Sequence, residues 1–314
     1  MLIASFYNSV EMKNFKKEIL AYFGMTLCTL IIGLSFIFVK IALRTADTVD
    51  ILAHRFSMAV IGMLLVYLSG KQKFPRLTVK QILPLLGISI AYPLLFFLFQ
   101  TEGLKYTTAL DAGILSAMMP ILTMVFAAVL LKEKNTPIQV FSIILSTGGI
   151  MYILMKSGAN VGSNNLKGNI LILLSVLSIV MYYVFGRKVN KKYNSLDITF
   201  FMTIVACVVF NLVAVVKHLQ TGTMHTFFEP LYESSFLWSV IYLGVLSSFL
   251  SSFLSNYALS AIPASQVAIF NNITPIITVF GGVMFLNEAL RGYHIIGGML
   301  VLLGVVGTLA FKKK

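Results

Sequence analysis

Residues 116–134 read SAMMPILTMVFAAVLLKEK, and residues 271–289 read NNITPIITVFGGVMFLNEA. At an offset of 155, Pro120 falls on Pro275, Thr123 on Thr278, Leu131 on Leu286 and Glu133 on Glu288. Each stretch is an apolar, helix-length run with a proline inside it and a glutamate just past its end. The correspondence extends outward. Leu104 pairs with Leu259, Ala109 with Ala264 and Gly149 with Gly304 at the same offset. Upstream, an offset of 147 pairs Phe38 with Phe185, Lys40 with Arg187 and Asp50 with Asp197. The chain is therefore two related halves.

Composition says what surrounds them. Of 314 residues, 58% are hydrophobic and 11% charged, with a mean hydropathy of +0.90. A soluble domain keeps about a quarter of its residues charged, so lipid is the expected solvent here. A formal charge of +13 would suggest nucleic acid in a soluble protein. In this chain the basic residues form short clusters between apolar runs, the pattern of inward-facing membrane loops, and no nucleic-acid partner is expected. Cys28 and Cys207 both lie in apolar runs and imply neither a disulfide framework nor a cysteine metal site. The four histidines have no metal-binding spacing, and no secretory signal is evident. The tract beginning MKNFKKEIL at Met12 resembles a natural start, with residues 1–11 a dispensable extension.

A bilayer core needs roughly 20 apolar residues per helix. Ten segments qualify: 19–43, 48–69, 81–100, 107–131, 136–155, 168–186, 198–216, 236–258, 264–286 and 292–311. The expected class is an all-α integral membrane protein of ten transmembrane helices, arranged as two inverted five-helix repeats. Residues 1–18 form a cytoplasmic tail, 19–156 the first repeat, 157–167 an extracellular linker, 168–311 the second repeat and 312–314 a basic cytoplasmic tail. The stretches around 157–167 and 217–235 have loop composition, and Thr136-Pro137 reads as a cap and first turn. With both termini in the cytoplasm, 16 of the 24 Lys and Arg fall inside, which sets the orientation. Five spans per half make equivalent helices cross in opposite directions, an arrangement that supports alternating access around a midplane site.

Three features resemble a known family: LIIGLSFIFVKIAL in the first segment, LAHRF opening the second, and the proline-containing segments ending in glutamate. Together they look like the EamA family of the drug/metabolite transporter superfamily, over nearly the whole chain. The resemblance implies ten helices around a central cavity and export of amino acids or other small metabolites from the cell. It leaves the substrate open. The family's first segment often has Trp-Gly before a small polar residue, whereas this chain has Ile32-Gly33-Leu34-Ser35.

Pro120 and Pro275 cannot donate to the carbonyls of Ser116 and Asn271, so those carbonyls must face protein or water. The expected result is a kinked pair lining the pathway; a static packing kink is the alternative. Ser247, Ser251 and Ser255, with Ser248, Ser252 and Asn256 alongside, make a polar stripe at helical spacing. Small-residue packing is its other reading. Asn256, Asn271, Asn272 and Gln100 form a set of neutral amides, and Tyr92, Phe96 and Gln100 share a face on the segment bent by Pro93. The substrate-binding candidates are thus Tyr92, Phe96, Gln100, Ser252, Asn256, Asn271 and Asn272, facing a polar or amphipathic small molecule.

Intramembrane charges usually face an interior. Lys40, His54, Arg55 and Asp111 are expected as an outer-gate cluster, with Arg55 about 10 Å below the helix end. There Arg55 or Lys40 either meets a substrate carboxylate or pairs with Asp50 or Asp111. His54 is a candidate proton sensor or a packing residue. Glu133 and Glu288 follow helix ends, where a carboxylate opposes the macrodipole, so each needs a partner, Arg291 for Glu288. They read as structural. Gly148, Gly149, Gly297, Gly298, Gly304 and Gly307 are expected to let the fifth and tenth helices pack closely.

No catalytic constellation, cofactor or metal site is expected, and the lack of GxxxxGK[ST] excludes a P-loop in this chain. The expected function is metabolite export by alternating access in the cytoplasmic membrane, with proton coupling open. A flippase for lipids or lipid precursors is the alternative. Expected partners are a small-molecule substrate and membrane lipids, in a monomer or homodimer.

Overall fold

The computed structural model describes residues 2–69, 78–119, 121–123, 125–126, 137–161, 163–262, 267, 270 and 273–310. The helices, in chain order, are α1 (Leu2–Ala42), α2 (Thr48–Leu68), α3 (Val79–Ser89), α4 (Phe96–Tyr106) and α5 (Ala109–Ser116). They are followed by α6 (Pro137–Val161), α7 (Ser163–Lys192), α8 (Ser195–Thr221), α9 (Ser234–Ile241), α10 (Ser251–Ala261), α11 (Thr274–Leu286) and α12 (Gly292–Ala310). Wider π-helical turns, Ile90–Leu95 and Tyr242–Leu250, join α3 to α4 and α9 to α10.

Among the described residues, 6 helices are long and apolar enough to cross a membrane: Lys17–Ala42, Thr48–Leu68, Gln81–Tyr106, Asn165–Gly186, Ser195–Thr221 and Ser234–Ala261. Shorter apolar helices lie at the remaining four expected places. Large apolar side chains such as Leu65, Phe141, Leu212 and Phe280 are exposed. On a water-soluble surface so many would form sticky patches; against hydrocarbon they are matched to their solvent.

The two halves repeat down to their helix ends. Asp47 caps α2 by accepting from the N–H groups of Val49 and Asp50, and its equivalent Asn194 caps α8 by accepting from Leu196. Side-chain caps of this kind satisfy orphan N–H groups. Thr107 and Ile262, again equivalent, end α4 and α10 in the same extended conformation, φ −126° and −121°. The π-helical turns also coincide, since 90–95 maps onto 245–250.

Contacts between equivalent helices give their relative direction. Between α2 and α8, Asp50 meets His218 while Ser57 meets Asn211. Between α5 and α11, Leu110 lies by Gly282 and Gly113 by Thr278. Between α6 and α12, Gly149 lies by Val301 and Ile153 by Gly297. Residue numbers rise on one helix as they fall on the other in all three pairs, so each pair is antiparallel. The remaining packing is exchanged between halves: α1 lies on α10, and its counterpart α7 lies on α4.

The expected glycine seam is narrower than its sequence. A Cβ on Gly149 would stand 2.8 Å from the Gly297 carbonyl, and one on Gly297 would stand 2.9 Å from the Gly149 carbonyl. Gly148 meets nothing within 4 Å, because its side of the helix turns away from α12. One expected loop is corrected and the other is shortened. Much of 157–167 is helical backbone, with α6 running to Val161 and α7 starting at Ser163. The 217–235 stretch remains helical to Thr221, where Gly222 at φ 69° ends α8. Phe227 then tucks its ring against Ala53 and Ala214.

Candidate functional site

The two π-helical turns bring the site residues inward, and they arise from different chemistry. In the first half Pro93 lacks the N–H that an α-helical ladder needs, and Tyr92 leaves helical geometry at φ −143°, ψ 121°. In the second half Ser248 occupies the proline's place. There Ser251 Oγ donates back to the Ser247 carbonyl, a local bond that competes with the ladder and bends helices. Wide turns of this type recur at functional sites.

Between them lies a central cavity of about 30 Å³. Its walls come in equivalent pairs: Ile32 with Ile179, Ser35 with Tyr182, Phe36 with Tyr183, Tyr92 with Ser247, Gln100 with Ser255 and Met119 with Thr274. Both halves contribute the same positions here because the void lies where the repeats face each other. Its size suits a water or two, far below the roughly 300 Å³ of a small-molecule pocket. In this conformation the walls are drawn together.

Hydrogen bonds knit the walls. Tyr92 Oη meets Ser252 Oγ at 3.0 Å. Tyr182 Oη donates to Asn256 Oδ1, and Asn256 Nδ2 donates to Thr199 Oγ1 at 2.8 Å. The rings of Tyr92 and Tyr182 lie 5.0 Å apart. Arg55, with 0% exposure, donates from Nε to Ser248 Oγ at 2.7 Å and from Nη2 to Ser247 Oγ at 3.0 Å. Its guanidinium carbon sits 3.9 Å from the centre of the Phe97 ring. Gly244 makes this possible, since a Cβ there would lie 2.4 Å from the Arg55 carbonyl. Gln100 Oε1 and Thr274 Oγ1, both on cavity-lining residues, have no hydrogen-bond partner among the described residues.

Of the expected substrate contacts, Tyr92, Phe96 and Gln100 line the cavity. Ser252 and Asn256 stand behind it, their polar groups holding Tyr92 and Tyr182. Asn271, Asn272, Pro120 and Glu133 lie outside the described residues. Pro275 stands in the first turn of α11, inside the expected 264–286 span and a few residues after Val267 and Phe270, which are also helical. It lines an apolar groove with Ile114, Phe280 and His294 instead of the cavity.

The expected outer-gate residues find separate partners. Lys40 Nζ donates to the carbonyls of Leu104 (2.9 Å) and Thr107 (2.7 Å) at the end of α4, as suits a cation at a helix C-terminus. His54 Nε2 pairs with the Phe227 carbonyl at 2.9 Å, and Asp111 with His294 at 3.1 Å. Asp50 binds Lys217 and His218 rather than Arg55. Successive helix residues point about 100° apart, which sends His54 to the Phe227 turn and Arg55 inward. Just outside the span, burial pushes the Asp47 carboxyl up, but bonds from Lys217 and from the Asp50 and Val49 backbone outweigh it and hold the group below its ordinary range.

Glu288 accepts from the N–H groups of Ala109 and Leu110, both at 2.9 Å. The carboxylate expected to pair with Arg291 instead caps α5, where its charge suits the positive helix end. Asn287, at φ 54°, turns the chain to place it there. Sequence reasoning missed Tyr182 and Tyr183, although the 147 offset from Ser35 and Phe36 points to both. Among the described residues, no group of three or more His, Cys, Asp or Glu could hold a metal ion.

A family model described as the EamA-like transporter family matches residues 19–155 and again residues 166–310. An uncharacterized transporter of Bacillus subtilis (strain 168), YcxC, is 45% identical over 288 residues, covering 92% of each chain. Another from that organism, YetK, is 26% identical over 302 residues, covering 95% of this chain and 89% of its own. A solved crystal structure of a protein at 14% identity superposes with a TM-score of 0.64 over 94% of this chain and 96% of that one, a likeness of fold alone.

Proposed function

Because the chain belongs to the EamA-like transporter family, we propose that it is a secondary transporter exporting small polar or amphipathic metabolites, amino acids or their relatives, across the cytoplasmic membrane. Ten spans in two inverted five-helix repeats alternate access to the central cavity. Both termini face the cytoplasm, as the basic loops favour. The observation that carries this reading is the pairwise lining of the cavity by equivalent residues: when one half takes the shape its twin has left, the same walls open to the other side. Among the described residues the cavity lining contains no His, Asp or Glu, which weighs against acid–base catalysis by them.

The test is counterflow in proteoliposomes holding the full chain, with labelled amino acids and related metabolites. Exchange above empty vesicles is expected, and a pH gradient that alters the rate reveals proton coupling. Inertness across the panel would move weight to lipid translocation. That second reading has one observation in its favour. Tyr182 lines both the cavity and a groove of about 670 Å³ beside α3 and α7, with Pro84, Ile88 and Phe185.

A further inference from the structure

We infer that the cavity selects substrates bearing a carboxylate attached to an apolar body, and that Arg55 supplies the positive charge that meets it. The inference rests on the transporter reading above.

Arg55 is fully buried. Burying a charge is costly unless an opposite charge and full hydrogen bonding compensate it. No Asp or Glu among the described residues lies within ion-pair distance of this guanidinium. Two serine hydroxyls and one ring face are its company, and Nη1 has no hydrogen-bond partner among the described residues. The fold itself does not require a charge at this place. The equivalent position in the second half holds Met202, buried in the apolar core. A cation kept where its counterpart is a thioether, with a donor in reserve, is matched to an anion that arrives from outside the chain.

Position supports the same conclusion. Ser247, which accepts from Nη2, and Phe97, whose ring the guanidinium covers, both form the cavity wall. The charge therefore lies one side chain behind the cavity surface, and turning Phe97 aside uncovers it. No Lys, Arg or acidic residue lines the cavity itself among the described residues, so Arg55 is the charge nearest its wall through Ser247 and Phe97. The remaining lining is mostly hydrocarbon and ring, including Phe96, Tyr182 and Ile179, which accommodates an apolar body, while the spare Gln100 amide can orient it.

Four probes of nearly one shape test this: 3-phenylpropionate, L-phenylalanine, 3-phenylpropionamide and phenethylamine. Each is assayed for thermal stabilisation of the purified full chain and for competition with counterflow of whichever labelled metabolite exchanges in proteoliposomes. The two carboxylates are expected to bind at least tenfold more tightly than the amide and the amine. Arg55→Gln should erase that preference, and Arg55→Lys should keep part of it. An amide that competes as well as its acid overturns the inference using wild-type protein alone, whatever the fate of the variants. So does a folded Arg55→Gln protein that still prefers the acid. If none of the four competes while other metabolites exchange, the inference falls and the transporter reading stands. If no metabolite exchanges at all, the transporter reading fails with it.

Discussion

The two walls that face each other across the cavity share a backbone and differ in nearly every side chain. Tyr92, Pro93, Phe97 and Gln100 on one correspond to Ser247, Ser248, Ser252 and Ser255 on the other. Both widen into π-helical turns at matching places, yet only one contains a proline. The bend thus belongs to the architecture, and each half reaches it by its own means. With the bend secured, the side chains are free to diverge: bulk and rings on one side, small hydroxyls that receive Tyr92 and Arg55 on the other. A symmetric scaffold thereby makes an asymmetric site.

The most severe way to break that comparison is to remove the small-residue character of the serine wall where it touches α2. Gly244→Ala would put a Cβ 2.4 Å from the Arg55 carbonyl and 2.6 Å from Met58 Cβ. A loss of ~3 kcal/mol, the upper end of overpacking costs, is expected, read as a drop in thermal midpoint and in monodisperse yield. Ser89 is the equivalent residue, and Ser89→Gly should cost no more than ~1 kcal/mol. Equal losses would show that the two walls are packed alike.

A sharper test leaves packing nearly alone. Gln100 has an acceptor with no hydrogen-bond partner among the described residues, whereas its counterpart Ser255 contacts Cys28 Sγ at 3.4 Å. Gln100→Ala should reduce counterflow about tenfold, the equivalent of one hydrogen bond to substrate. Ser255→Ala should reduce it less than about threefold on the same scale. Matching losses would mean that substrate touches both walls equally.

The smallest effect concerns the helix caps. Asp47→Asn gives the first half the neutral cap that Asn194 provides in the second. The Asp47 carboxyl is depressed in the folded protein, so its stabilisation is present above the unfolded value of about 3.9 and lost as pH falls through the folded one. Its side chain is 41% exposed, and solvent screening limits the difference to ~0.5 kcal/mol. Wild type and variant should differ slightly in thermal midpoint at neutral pH and converge in acid. A gap that grows on acidification would reverse the assigned sign.

The sequence reveals the doubled halves because a repeat is a relation between positions and needs no knowledge of packing. The same offsets also lead to Tyr182 and Tyr183 once they are applied to Ser35 and Phe36. Side-chain roles were less legible. Asn256 reads as a binding amide in the sequence, which does not show that Tyr182, 74 positions away, donates to it in this conformation. Lys40, His54, Arg55 and Asp111 share a depth in the sequence but not a direction, since depth follows residue count and direction follows the helical phase. The apolar run from 264 to 286 places Pro275 in mid-segment but conceals that α11 begins anew beside it, at Thr274.

Glu288 has a bearing on how independent the halves are. Its carboxylate belongs to the second half, but the backbone donors it satisfies open a helix of the first. Expressed without its twin, the first half would leave those two N–H groups without this acceptor, at a cost of about 1–3 kcal/mol for each that finds no other. The two halves thus share a helix cap, and each is expected to mature poorly without the other. A split version of the chain should mature only when both fragments are made together.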